Sequence, residues 1–220
     1  ISACLVGSEM CIRDSYRAVP SQNVVSQQVQ PIRIVETIPA KALKKVNDTT
    51  YVFDFARNMS GVTRIKVSGE EGTVVRLKHG ERIYDNGRVN MSNIDVYHRP
   101  IDDKDPFQTD ILILSGKGED EFMARFNYKG FRYVEVTSSK PVALDQNSLT
   151  AYFVHSDVPQ KGEINTSNPL VNRLWWATNN AYLSNLMGYP TDCPQREKNG
   201  WTGDGHFAIA VSYTHLTLPT

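Results

Sequence analysis

The chain has 220 residues, with Lys+Arg and Asp+Glu equal at 24 each, 40% hydrophobic and 22% charged residues; this is an ordinary globular composition with room for one large or two modest domains. The neutral balance offers no electrostatic case for a nucleic-acid or anionic-membrane partner, and no unbroken apolar run is long enough to span a bilayer. Cys4, Cys11 and Cys193 form no CxxC pair, and His79, His98, His155, His206 and His215 show no HExxH spacing, so neither a disulfide framework nor a metal or other cofactor is expected.

Residues 1–15, which contain Ser8-Glu-Met-Cys-Ile-Arg-Asp-Ser15, do not read as natural continuations of their neighbours. The same holds for residues 211–220, which end in Tyr213-Thr-His-Leu-Thr-Leu-Pro-Thr220. Both resemble tails produced when linker sequence is translated in assembly fragments, so the genuine segment is expected from about Tyr16 to Ala210. Residues 16–50 are polar and mixed; they read as the end of an upstream domain, a linker, or an edge strand through Ile32 and Ile34. From Tyr51 the pattern is β. Thr63–Val67 and Thr73–Lys78 alternate apolar and polar residues, the signature of half-buried strands. Asp85-Asn86-Gly87 is a turn signal. Asp110–Leu114 is a continuous apolar run, expected to be buried on both faces, and Phe131–Val136 and Thr150–Val154 are further strands. Short strands separated by turns predict an antiparallel β-sandwich over 51–157.

After Pro159 the period changes to 3.6. Leu170, Leu174, Ala177, Ala181 and Tyr182 form a helical stripe, widened by Trp175, Leu183 and Leu186. Ser167 or Asn168 can cap this helix, Pro169 suits its first turn, and Gly188 and Pro190 end it. A second helix is expected after Asp204, through Phe207–Ala210. Between the two helices lies Asp192-Cys-Pro-Gln-Arg-Glu-Lys-Asn-Gly-Trp-Thr-Gly-Asp204, with three carboxylates, two cations and a large aromatic. A protonated carboxylic acid that serves near neutral pH needs an apolar wall or a like-charged neighbour. Trp201 can be the wall, and Asp192 or Asp204 the neighbour. The plain alternative is a solvated loop whose charges pair locally, Arg196 with Asp192 for instance.

The string Asp192–Asp204 resembles the signature of the bacterial α-L-rhamnosidases, glycoside hydrolase family 78. Tyr51–Gly61, Gly72–Glu81 and Arg125–Tyr133 resemble the sandwich domain that precedes the catalytic barrel in that family, so the resemblance covers about Tyr51–Ala210. It implies a multidomain β plus α chain, the sandwich being followed from 158 to 210 by the N-terminal portion of an (α/α)6, or six-hairpin, barrel. It implies an inverting hydrolase that releases terminal α-L-rhamnose from oligosaccharides, polysaccharides or other glycosides. By motif position Glu197 matches the general acid, while Asp192, Arg196, Trp201 and Asp204 match residues lining the rhamnose subsite. Some members carry one more acidic residue before the matching glutamate; the shorter spacing here leaves Glu197 alone in that place. The general base is a glutamate from later in the barrel, so this fragment is expected to be inactive alone.

Two other readings stay open: a non-catalytic carbohydrate-binding sandwich module, and a barrel glycosidase for another sugar. Aglycone, linkage, compartment and oligomeric state are left open. Cys193, beside Asp192, lacks the positive field a thiolate needs and is expected to pack in the interior. His206 reads as a helix-start residue. Trp175 and Trp176 are expected in the core, and Phe126, Tyr128, Phe131 and Tyr133 in core or interdomain packing rather than on a sugar platform.

Overall fold

The computed structural model describes residues 25–94 and 107–200. Trp201, Asp204, His206, the second helix expected through Phe207–Ala210 and both terminal tails lie outside the described residues. The described chain is mostly antiparallel sheet with one helix. Its strands are β1 (Ile32–Pro39), β2 (Ala42–Asn47), β3 (Thr50–Ser68), β4 (Val74–Gly80), β5 (Arg82–Ile83), β6 (Val89–Asn90), β7 (Thr109–Ile113), β8 (Glu119–Met123), β9 (Lys129–Ser138) and β10 (Leu149–Ser156), followed by helix α1 (Pro169–Ser184). Eight strands form one hydrogen-bonded sheet in the order β1-β10-β3-β9-β4-β7, with β2 and β8 both pairing β3, while β5 and β6 make a separate hairpin. The sheet thus takes in Ile32–Asn47, upstream of the boundary expected at 51.

The 19-residue β3 organises this arrangement. Its first half, Thr50–Asp54, runs between β2 and β9; its second half runs between β10, over Gly61–Ile65, and β8, over Arg64–Ser68. A strand that changes partners along its length serves two layers, which is how sandwiches turn corners. Tyr51, Phe53, Phe55, Met59, Ile65 and Val67 of β3 join one apolar core with Val75, Leu77, Phe131, Val134, Val136, Leu149, Ala151 and Phe153. Phe53, Ile65 and Phe131 are fully buried, each such side chain contributing about 1.5–3 kcal/mol by leaving water.

Where β3 changes partners its register against β9 slips between Asp54 and Met59. Ala56 adopts a left-handed φ of 58° there. Asp54 holds this bulge: its carboxylate accepts the Ala56 N–H at 2.6 Å and two bonds from Arg132 at 2.9 Å. Burial raises the Asp54 pKa, but the Arg132 and Ala56 hydrogen bonds outweigh it and keep the group below the usual carboxylate range. The bulge lifts Arg57 and Asn58 out of the sheet onto the surface that meets α1.

Asp110–Leu114 departs from expectation. β7 is the terminal strand of the order and pairs with β4, so its outer edge and one face meet solvent; Ile113 is 64% exposed. An apolar run carries no record of whether a neighbour covers it. The Asp85–Gly87 turn does join β5 to β6, closed by Tyr84 and Arg88. This hairpin is tied to β9 by the buried Glu135, which accepts from Arg88 Nε and Nη2 at 2.7 Å each and from the Val89 N–H at 3.0 Å.

One buried group makes the sheet sensitive to acid. His79 has no exposed surface. Its Nδ1 faces the Gln108 carbonyl at 3.2 Å and its Nε2 lies 2.9 Å from the Thr63 hydroxyl. A carbonyl only accepts, so Nδ1 carries the proton and Nε2 accepts from Thr63. Burial pulls the imidazole down to about 4, against the favourable Asp110 charge. A depressed folded pKa means the unfolded chain takes up the proton first, so stability is full above about 6.5 and falls as pH drops towards about 4. Urea unfolding at pH 7 and pH 4.5 should show a loss on the order of 2–3 kcal/mol that shrinks in His79→Gln. An equal loss in both proteins would remove His79 from the account.

Candidate active site

Helix α1 brings the chain to the site. Asn168 caps it, its side chain accepting the Leu170 N–H at 2.9 Å, and Pro169 occupies the first turn. The chain leaves the helix through Asn185 and Gly188, whose φ of 81° suits a residue without a side chain. The helix meets the sheet through polar groups. Arg57 Nε donates to Asn180 Oδ1 at 2.7 Å, and Asn180 Nδ2 donates to the Asn58 carbonyl at 2.9 Å. The Arg57 guanidinium also lies over Phe153 and Trp176, 4.5 and 5.4 Å from their ring centroids. Leu183 packs on the core, but Leu170 and Leu174 are 62% and 59% exposed. The helical stripe therefore turns mostly away from the sandwich, and Trp176, expected in the core, is half exposed.

Beyond the helix the chain makes a closed excursion. Thr191 and Gly200 form an isolated antiparallel bridge, and the Thr191 N–H donates to the Asn185 carbonyl at 2.7 Å. Asp192 closes the loop from inside. Its N–H donates to the Asn199 carbonyl at 3.0 Å, and its Oδ1 accepts from Cys193 N–H at 2.7 Å and Asn199 N–H at 3.1 Å. The two arms are thereby drawn together, and polar atoms of Asp192, Cys193 and Glu197 lie within 4.8 Å of one another. The Glu197 N–H points at Cys193 Sγ, 3.4 Å away. Cys193 is half-buried rather than interior.

The two carboxyls divide their proton affinity. A hydrogen bond to Asp192 is the largest influence raising Glu197, followed by partial desolvation and the Asp192 charge, with Arg196 opposing. Asp192 is pushed up by burial, but the Glu197 bond and the backbone N–H groups hold it below the usual range. Asp192 therefore favours its ionised form, and Glu197 binds a proton more readily than an ordinary glutamate. Glu197 is 41% exposed on its side chain, and Arg196 Nε lies 3.4 Å from its Oε1. The fold thus gathers Asp192, Arg196 and Glu197, and the approach of Arg196 to Glu197 is local pairing of the kind the plain alternative describes.

The sandwich supports this loop directly. A Cβ added to Gly130 of β9 would come within 2.9 Å of Pro194 Cγ and 3.1 Å of the Gln195 backbone N, so the loop lies on that strand because it lacks a side chain there. Lys198 has a left-handed φ of 55°, a conformation that costs a non-glycine residue roughly 1–3 kcal/mol. Its ammonium donates to the Tyr128 carbonyl at 2.6 Å and to Asn127 Oδ1 at 3.2 Å, and sits 4.2 Å from the Tyr128 ring centroid. Burial and the Lys129 charge pull it down to about 8, while burial pushes the Tyr128 phenol up to about 12. A cleft of about 480 Å³ opens where Arg57, Glu81, Trp176, Asn180, Asp192 and Gln195 meet. The sequence singled out none of Arg57, Asn180 or Gly130, and read Lys198 only as one of the two cations of the motif. Their partners are distant in sequence, so periodicity gives no sign of them.

Comparison with known proteins follows the same division. Residues 44–155 match the family described as bacterial α-L-rhamnosidase concanavalin-like domain, and residues 159–217 match the bacterial α-L-rhamnosidase 6 hairpin glycosidase domain. A concanavalin-like domain is therefore joined to part of a glycosidase domain. The chain belongs to the bacterial α-L-rhamnosidase family. It is 34% identical over 207 residues to an α-L-rhamnosidase of Streptomyces avermitilis, covering 93% of this chain and 19% of that protein. It is 32% identical over 184 residues to one of Alteromonas sp., covering 83% and 19%. Among solved structures, the α-L-rhamnosidase from Dictyoglumus thermophilum aligns with a TM-score of 0.76 and 35% identity, covering 86% of this chain and 20% of that one. The Streptomyces avermitilis enzyme complexed with L-rhamnose aligns at 0.73 and 34%, covering 84% and 17%. The chain spans about a fifth of the length of the curated relatives it matches.

The loop's seat on β9 can be tested. Gly130→Val should destabilise the chain by about 1–3 kcal/mol through overpacking. It should also speed hydrogen exchange at the Cys193 and Asn199 amides, which donate to Asp192. Unchanged exchange at those two amides would show that the loop does not depend on this strand.

Proposed function

We propose that this chain supplies the sandwich and the proton-donating part of the active site of an inverting α-L-rhamnosidase, with Glu197 as general acid. The observation that carries the reading is the closed loop that brings the side chains of Asp192, Cys193 and Glu197 within 4.8 Å of one another, where Asp192 raises the pKa of Glu197 and is itself lowered. An acid needs its proton at the working pH, and an ionised neighbour shifts the balance in that direction. Glu197 delivers that proton to the glycosidic oxygen as the bond to the anomeric carbon breaks. Water attacks from the opposite face, activated by a second carboxylate about 6.5–9.5 Å from the acid. That base belongs to the longer enzyme, in a six-hairpin barrel of which residues 158–210 form the start, and the 220-residue chain alone is inactive.

Asp192 and Arg196, with Trp201 and Asp204 next in the motif, bind the terminal α-L-rhamnose. Asp192 accepts hydrogen bonds, Arg196 donates them, and the Trp201 face offers an apolar surface for the pyranose ring. The glycosidase-domain match over 159–217 supports a catalytic rather than a free-standing binding module, and the rhamnose-bound relative supports the sugar.

The test is Glu197→Gln in the full-length enzyme. General acid catalysis contributes about 10²–10⁴-fold, and a loss of that size is expected on an unactivated rhamnoside. An aryl rhamnoside with a good leaving group needs little protonation and should retain most of its rate. Similar rates for variant and wild type on both substrates would exclude Glu197 as the acid.

A further inference from the structure

The sandwich turn between β8 and β9 reaches the loop that carries the acid. Lys198 follows Glu197 directly, and its left-handed backbone sends the two side chains to different places. The Glu197 carboxyl meets Asp192, while the Lys198 ammonium reaches back to the Tyr128 carbonyl and Asn127 Oδ1 and lies across the Tyr128 ring. Thr191, at the start of the same loop, is near enough to the Tyr128 phenol to lower its pKa against the effect of burial. The bonds of Lys198 therefore tie the excursion to the sandwich at 198, beside that neighbour. The charges acting on the Glu197 carboxyl are those of Asp192 and Arg196, so Lys198 acts by position rather than by field.

We propose that the Asn127-Tyr128 turn of the sandwich, through Lys198, positions the Glu197 carboxyl, so that Lys198 is a positioning residue for proton transfer. The inference rests on Glu197 being the general acid. A loop freed at position 198 lets the acid drift from the leaving oxygen, and small misplacements of a catalytic group cost heavily.

In the full-length enzyme, Lys198→Met should lower kcat on an unactivated rhamnoside by about 10–100-fold with KM little changed. The rate on an aryl rhamnoside with a good leaving group should stay near wild type. In a Glu197→Gln background the same substitution should add no further loss, because two residues acting on one step are not additive. Asn127→Ala removes one exposed bond, leaves the core untouched and should show a smaller loss with the same substrate dependence; it carries the test if Lys198→Met does not fold. Equal losses on both substrates, no loss, or a full additional loss in the Glu197→Gln background would overturn the proposal. If Glu197→Gln behaves as an acid variant while Lys198→Met and Asn127→Ala do not follow it, the positioning role alone fails. If Glu197→Gln itself lacks substrate dependence, the acid assignment fails and this inference with it.

Discussion

A carboxylate held close to a second carboxyl raises that group's proton affinity, and the loop at 191–200 brings Asp192 and Glu197 within 4.8 Å of one another. Asp192 draws the two arms together by accepting backbone N–H groups of Cys193 and Asn199. Those same bonds favour its ionised form, and Asp192 in turn raises the pKa of Glu197. The loop's closure and the raised proton affinity of Glu197 therefore come from one side chain.

The sandwich is more than an appended domain in this arrangement. A bulge in β3, held by Asp54, presents Arg57 and Asn58 to α1 and sets where the helix lies. Gly130 gives the following loop a flat seat on β9. Both supports meet the apolar core, since Leu183 of α1 packs against the cluster that holds Phe131 and Phe153, and Arg57 lies over the Phe153 ring. Sheet, bulge, helix and loop form a continuous mechanical path from apolar core to carboxyl pair.

Much of this was legible in the sequence, and the divisions have physical reasons. Period-2 alternation located the second half of β3 and β4, and the Asn168-Pro169 signal located the start of α1, because these are local properties of the backbone; the helix ends at Ser184, capped by Asn185, short of the stop read at Gly188 and Pro190. The clustering of Asp192, Arg196 and Glu197 followed from their closeness in one motif and from its family resemblance. Burial was not legible where it depends on neighbours: β7 is apolar yet lies at an edge, and the α1 stripe faces largely away from the sheet. Ile32–Pro39 is an edge strand, one of the readings left open for it, and what decides among them is pairing with β10, a partner over a hundred residues away. The contacts of Lys198 with Tyr128 and of Gly130 with Pro194 likewise join segments that no periodicity relates.

The direct test of the central claim is a carbon-13 NMR titration of the Glu197 side-chain carboxyl in the 220-residue chain and in its Asp192→Asn variant. The account predicts a midpoint above the ordinary glutamate value of about 4.3 in the unaltered chain, falling towards that value once residue 192 cannot ionise. A midpoint at or below the ordinary value, or one indifferent to the substitution, would contradict it.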